Sequence, residues 1–355
     1  MSLFGKQKQS FGLDIGSSAV KAVQLVESGG GFRLDAFARV PLAPETISGG
    51  VMKDPPTVVT AIREAVATAG VMTKNAVISV SGRDLWIKKL PPFPAGLSSK
   101  VLADAIALEA EHHIPFPMDE VYRDWQFLRS DTTGTEVMLV AVKRSRVNEY
   151  VAVVEEAGLT PVVVDVDSFA IENQYELNNP ESGDEAVALV DIGAAVMKTN
   201  VVRGGASLFA RDIPFGGLNY AQAIAQRLGI PLATAEAAKQ GQDVGVSWDN
   251  LVPALEAVSR ELSLEIQRTF DYFASTTESE RIGRLVLSGG CAKLPGLDQF
   301  LASSWGIPVE LARPFDNIQV DPARFPSDEL ATLGPELAVA VGLGTRRPGD
   351  SRSKR

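Results

Sequence analysis

The stretch Asp14-Ile15-Gly16-Ser17-Ser18-Ala19-Val20-Lys21 decides how the rest of this chain is read. An apolar start, Phe11 to Leu13, runs into it, and Ala22-Val23-Gln24-Leu25-Val26 leaves it. The pattern is strand, tight glycine turn, strand. A carboxylate, a glycine, two hydroxyls and a lysine lie close together in it. Asp191-Ile192-Gly193-Ala194-Ala195 repeats the turn after the apolar run Ala186 to Val190. Around both turns the order is the same: strand, Asp-x-Gly, strand, glycine hairpin, strand. The hairpins fall at Gly29-Gly30-Gly31 and Gly204-Gly205. One Asp-x-Gly alone is an ordinary turn of an α/β protein. The ordered repetition points to two similar lobes facing a shared ligand.

Composition narrows the possibilities. The chain has 355 residues, 45% hydrophobic and 22% charged, as expected of a soluble globular protein of two or three domains. Its formal net charge of -10 argues against general nucleic-acid binding. A single cysteine, Cys291, excludes an internal disulfide framework. The two histidines, His112 and His113, leave little material for a zinc site and read as the end of a helix. No apolar run approaches the ~18 residues of a membrane span. Met1 to Ser10 has no signal-peptide core, so a cytoplasmic protein is expected, on a membrane only through a partner. Residues 346–355, basic and mixed with Gly, Pro and Ser, are expected to form a disordered tail.

Taken in order, residues 10–83 read as strands, a helix from Val58 to Ala69 and a further strand, Asn75 to Ser81. Residues 84–165 read as a separate small unit. It has a strand at Leu85 to Leu90 and a helix from Ser99 to His112 with Val101, Ala105 and Leu108 on one side. Strands from Val121 to Val142 and a helix from Ser145 to Ala157 follow. Residues 166–182 return to the first lobe through a helix, Phe169 to Glu176. A second lobe is expected over 183–215 and 274–335, with a helical subdomain at 216–273. In that subdomain Pro253 is read as the start of a long helix. Leu287-Ser288-Gly289-Gly290 ends a strand, and residues 336–345 form a small-sided closing helix.

Together these residues resemble the actin-like ATPase superfamily, which includes actin, the Hsp70 ATPase domain, sugar kinases and FtsA. Asp14 to Lys21 resembles its first phosphate loop, Asp191 to Ala195 the second, and Leu287 to Gly290 with Lys293-Leu294-Pro295-Gly296-Leu297 the adenosine motif. The resemblance implies an α/β, two-lobed actin-like (ribonuclease H-like) fold. Within the superfamily the chain is most similar to the PilM family of type IV pilus assembly. Four stretches carry this: Gly5 with Phe11 to Gly16; Glu109-Ala110-Glu111 through Phe116; Val164-Asp165-Val166-Asp167-Ser168-Phe169-Ala170; and Phe215-Gly216-Gly217. Residues 84–165 stand where FtsA and PilM carry an inserted subdomain. The resemblance also implies partners: the N-terminal cytoplasmic tail of the membrane protein PilN in a groove beside that subdomain, other pilus platform proteins and secretion motor ATPases.

A phosphate chain needs backbone donors and compensating charge. Gly16 and Gly193 let the backbone turn closely enough to present N–H groups, Ser17 and Ser18 add hydroxyls, and Ala194 adds only its backbone. Lys21 would meet the β- or γ-phosphate. Asp14 and Asp191 make sense as ligands, through water, of a Mg²⁺ shared with ATP. Gly289 and Gly290 would admit the adenosine. By the family pattern Glu236 would accept from the ribose hydroxyls and Lys239 would lie over ribose or base; in isolation both read as helix-surface charges. Asp165 and Asp167 are the candidates for positioning a hydrolytic water. Ala194 and Ala195 stand where many relatives carry Gly, Ser or Thr donors, so ATP binding with at most slow turnover is expected. A small-molecule kinase of the same fold would need a base beyond Asp165 and Asp167. An FtsA-like filament protein would need a terminal amphipathic helix, and the last ten residues have no apolar stripe.

Overall fold

The structure is a computed structural model that describes residues 9–180, 183–277 and 281–350. Gly5 and most of the N-terminal lead, residues 181–182 of the expected linker and residues 351–355 of the tail lie outside them.

The first lobe begins with β1 (Phe11–Ile15), β2 (Ala19–Ser28), β3 (Gly31–Pro41), a small hairpin of β4 (Ile47–Ser48) and β5 (Val51–Met52), α1 (Pro55–Ala69) and β6 (Asn75–Val80). All five residues of β1 are buried, which marks a strand covered on both faces. On one face lies α1, capped by Asp54 accepting from the Thr57 N–H, opened by Pro55-Pro56 and closed by Gly70 in the left-handed conformation. Its residues Val58, Val59, Ala61, Ile62 and Ala65 face the sheet.

An inserted three-stranded sheet follows: β7 (Leu85–Lys89), α2 (Ser99–His113), β8 (Val121–Asp131) and β9 (Gly134–Lys143), in the order β7-β9-β8. The expected stripe on α2 is displaced by one to two residues. Leu102, Ile106 and Ala110 are buried against Val137, Leu139 and Ala141, whereas Val101 and Leu108 are exposed. Both stripes have helical spacing, and only the position of the sheet selects between them. The separate unit is also smaller than residues 84–165. After α3 (Arg144–Glu156), β10 (Thr160–Val166) pairs in parallel with β6, so it is an edge strand of the first lobe.

The chain crosses through α4 (Asp167–Asn178) to β11 (Ala186–Ile192), β12 (Met197–Arg203) and β13 (Ala206–Ile213). The helices α5 (Gly217–Leu228), α6 (Leu232–Lys239) and α7 (Trp248–Thr276) come next. Pro253 lies inside α7 rather than at its start, because Ser247 occupies the cap position and Asp249 the first turn. β14 (Ile282–Ser288), α8 (Leu297–Trp305) and β15 (Val309–Leu311) complete a sheet of order β13-β12-β11-β14-β15. β16 (Ile318–Gln319) then returns to the first lobe, beside β3, to give β10-β6-β1-β2-β3-β16.

The closing helix α9 (Ser327–Gly344) is about twice the length of the apolar run that announces it. It packs on α4, β1 and β2. The approach is so close that a side chain on Gly342 would run into the backbone of Ala170 in α4. Arg346 is not part of a free tail: its carbonyl accepts from Ser10, and its guanidinium meets Asp165 at 3.3 Å. Arg347 donates to the Gly344 carbonyl, which holds the first residues after α9 on the lobe.

Candidate functional site: an interlobe cleft and a strand-edged groove

Strand register builds the cleft from two matching rows. In the first lobe Asp14 stands opposite Lys21, and Lys21 opposite Arg39. In the second lobe Asp191 stands opposite Lys198, and Lys198 opposite Asp212. Each aspartate ends a buried strand just before the glycine turn, so the hairpin returns a lysine beside it. Lys21 Nζ lies 2.7 Å from Asp14 Oδ2, and Lys198 Nζ lies 2.9 Å from Asp191 Oδ1. Each row also has a serine on the parallel neighbour strand. Ser288 pairs with Asp191 and donates to its Oδ2 at 3.0 Å. Ser79 instead donates to Asp167 Oδ1 at 2.6 Å.

Asp14, Gly16, Ser17, Ser18 and Lys21 face Asp191, Gly193, Ala194 and Lys198 across a narrow cleft, with Asp167 and Ser81 on its wall. Gly289 and Gly290 also line it. Gly289 has φ 84°, and a side chain there would strike the backbone of Ile192. Its N–H donates to the Pro335 carbonyl at 2.7 Å, which ties this turn to α9. Glu336, one residue on, reaches Arg39 at 2.7 Å and also pairs with Lys293, joining a first-lobe strand to a second-lobe turn.

The remaining expected residues fall differently. Glu236 and Lys239 sit one step outside the cleft lining. They pair at 2.8 Å, and Lys239 Nζ also donates to the Gly217 carbonyl at 2.9 Å. Gly217 N–H in turn donates to the Gly193 carbonyl, so Lys239 braces the second loop from behind. Asp165 is not in the cleft: β10 turns into α4 at Val166, which sends Asp167 to the cleft and leaves Asp165 facing Arg346. Cys291 is buried, and burial pushes its thiol up to about 12, which leaves no thiolate nucleophile.

Lys198 and Glu336 are cleft-lining residues that the sequence reading misses, and Asp212 stands beside Lys198 in the second row. Lys198 had a usable signal: it follows Asp191 at the same seven-residue interval that separates Lys21 from Asp14. Its ammonium also lies 3.3 Å from Asp167 Oδ2, an ion pair between β12 of the second lobe and the head of α4. Burial raises the Asp14 carboxyl above its ordinary value against the opposing pull of Lys21. At Asp167 burial is outweighed by Lys198 and the Ser79 and Ser81 hydroxyls, and the carboxyl lies below its usual range. Burial and the nearby Asp167 push Asp212 to about 7, although it accepts from the Gly82 N–H at 2.6 Å.

This donor set fits a metal–phosphate ligand better than a bare ion. Asp14, Asp167 and Asp191 outnumber Lys21 and Lys198, so an added polyphosphate needs a further cation. Among the described residues no three carboxylate, histidine or cysteine side chains converge to hold a metal alone. Mg²⁺ characteristically takes one or two carboxylates and completes its shell with phosphate oxygens and water.

A second concavity opens on the other side of β10. It is bounded by two edge strands, β8 of the inserted sheet and β10 of the first lobe. Tyr122, Trp125, Val140, Val164 and Phe169 make it mainly apolar, and Asp165 with Arg346 forms its polar end. Tyr122 and Val164 are exposed. No helix of the described residues is long and apolar enough to cross a membrane.

Two α/β lobes with repeated Asp-x-Gly hairpins facing one cleft define an actin-like protein. Solved structures share that fold: ethanolamine utilization protein EutJ from Carboxydothermus hydrogenoformans (16% identity, 94% of this chain and 88% of that one, TM-score 0.56) and MreB 5 of Spiroplasma citri bound to AMPPNP (12% identity, 95% of each chain, TM-score 0.51). The chain belongs to the family of type IV pilus assembly protein PilM, whose family model matches residues 12–348. It is 30% identical to a chain in a solved PilM–PilN type IV pilus biogenesis complex, over 95% of this chain and 97% of that one, with a TM-score of 0.84.

Proposed function

We propose that this chain holds a magnesium-bound nucleoside triphosphate in its cleft and docks the N-terminal cytoplasmic segment of PilN in the groove between β8 and β10. It would act as a peripheral component of the inner-membrane platform for pilus assembly. The observation that carries the reading is the groove itself, an apolar trough between two strand edges in a chain this similar to one from a PilM–PilN complex. An edge strand can take an extended peptide as an added strand, and the apolar floor receives alternate side chains.

In the cleft, Asp14 and Asp191 would hold the Mg²⁺, which supplies the positive charge that the two lysines do not. Gly16, Ser17 and Ser18 offer donors from one loop; Gly193 and Ala194 offer backbone N–H groups from the other. Gly289 and Gly290 leave room for a base and ribose. Asp167 is held by two hydroxyls and an ammonium, which disfavours it as a free base and suits slow hydrolysis. AMPPNP on MreB 5, a protein of the same fold, is consistent with a nucleotide here.

The groove is tested by fluorescence anisotropy with a labelled peptide of the PilN N-terminal segment. Val164→Glu and Tyr122→Ala should each weaken binding, Val164→Glu by about tenfold or more, while Mg-ATP affinity stays at the wild-type value. Peptide affinity unchanged in both variants would remove the groove from the reading.

A further inference from the structure

We propose that Lys198 is an exchange residue: its ammonium leaves Asp167 for the phosphate chain of a bound nucleotide, and thereby releases a contact between the lobes. The inference rests on the nucleotide reading of the cleft and assigns within it a role that Lys21 cannot play.

Three features of the site support it. The Lys198 ammonium lines the cleft directly beneath the second loop, where a side chain on Gly193 would come within 3.4 Å of it. Its strand is fixed by pairing on both sides, so only the flexible four-carbon stem is free to move. Both of its partners keep a hydroxyl donor when it departs, Ser288 on Asp191 and Ser79 on Asp167. Asp167 also heads α4, and a helix N-terminus favours a carboxylate. Asp14, by contrast, has Lys21 and no hydroxyl among its described side-chain hydrogen bonds.

The consequences differ for the two lysines. Movement of Lys21 would stay within the first lobe, since Asp14 and Lys21 belong to one hairpin. Movement of Lys198 breaks an ion pair that joins β12 to the β10–α4 junction. Asp165, two residues before Asp167, lies on the groove side of that junction, against Arg346. Asp167 and a phosphate are therefore competitors for one ammonium.

A double-mutant cycle on the full chain tests this by isothermal titration of Mg-ATP. Asp167→Asn should tighten binding several-fold, because it removes the competitor, and Lys198→Met should weaken it about tenfold. In Lys198→Met, adding Asp167→Asn should give no tightening, since no ammonium remains to be freed. Equal tightening in both backgrounds would mean a simple change of net charge and would overturn the exchange. Unchanged affinity in Asp167→Asn would do the same. If Lys198→Met fails to fold because buried carboxylates lose their partner, Lys198→Gln, which retains amide donors, takes its place in the cycle. Absence of Mg-ATP binding by the unsubstituted chain would overturn the nucleotide reading together with the inference.

Discussion

The two cleft hairpins share one plan and differ at three places. Both put an aspartate at a strand end, a glycine two residues on, and a lysine seven residues on. The first row continues to Arg39, the second to Asp212. The first loop carries Ser17 and Ser18, the second Ala194 and Ala195. The serine on the neighbouring strand is followed by Val80 and Ser81 in the first lobe, and by Gly289 and Gly290 in the second. The shared plan supplies a clamp with acid and ammonium on both jaws. In the proposed reading the differences divide its labour: the first jaw would offer side-chain donors to an anion, and the second would give up bulk to admit a base and ribose. Arg39 is satisfied by Glu336, whereas Asp212 is a half-buried acid that gains a backbone donor from the opposite lobe.

Making the jaws alike is the way to break this comparison. The largest effect is expected from Gly289→Val, which copies the Val80 side. Its φ of 84° and the backbone of Ile192 leave no place for a branched side chain, so a loss of about 4 kcal/mol or failure to fold should follow in denaturant unfolding. A tolerated valine would mean that the turn is not held as described.

Asp212→Asn comes next. A carboxyl raised to about 7 in the folded protein from an ordinary 3.8 costs stability once it must ionise. Between those values the folded state binds more protons than the unfolded, so wild-type stability falls as pH rises through that window. The groups facing Asp212 are Asp167 and Asp191, which oppose its charge, and Lys198, which favours it. Asparagine still accepts from Gly82 and does not titrate. The variant should match wild type near pH 4 and exceed it by on the order of 1–3 kcal/mol at pH 8, read from urea midpoints across pH. A pH-independent difference would contradict the assignment.

The smallest effects concern the loops. Ser17→Ala with Ser18→Ala should weaken Mg-ATP binding about fivefold, the scale of one lost hydrogen bond. Ala194→Ser should tighten it by about threefold or less. Reversed signs in a titration would deny the proposed asymmetry of donors.

Much of this was legible in the sequence because its signals are local. Glycine turns between apolar runs fix both Asp-x-Gly loops and the Ser-Gly-Gly turn without reference to distant residues. What escaped depends on packing. Residues 165 and 167 would share a face in a continuous strand, yet the change from strand to helix at Val166 separates them. Lys198 in isolation is one of two charged residues in a mixed strand, and only the echo of Lys21 distinguishes it. Pro335 hides the first half of α9, since proline usually opens a helix. Here the carbonyl left without its N–H donor belongs to Ala331, an exposed residue on the solvent side of the helix. The inserted sheet was recognisable, but its limit was not, because the pairing of β10 with β6 joins residues about eighty-five positions apart in the chain.

The central claim is that both jaws grip one metal–nucleotide. It is tested most directly by titrating Mg-ATP into the unsubstituted chain, Asp14→Ala, Asp191→Ala and the double variant. Each single substitution should weaken binding about tenfold or more, and the double variant should lose far less than the sum of the two free energies, because both carboxylates serve the same ion. Wild-type affinity in both single variants would contradict the clamp.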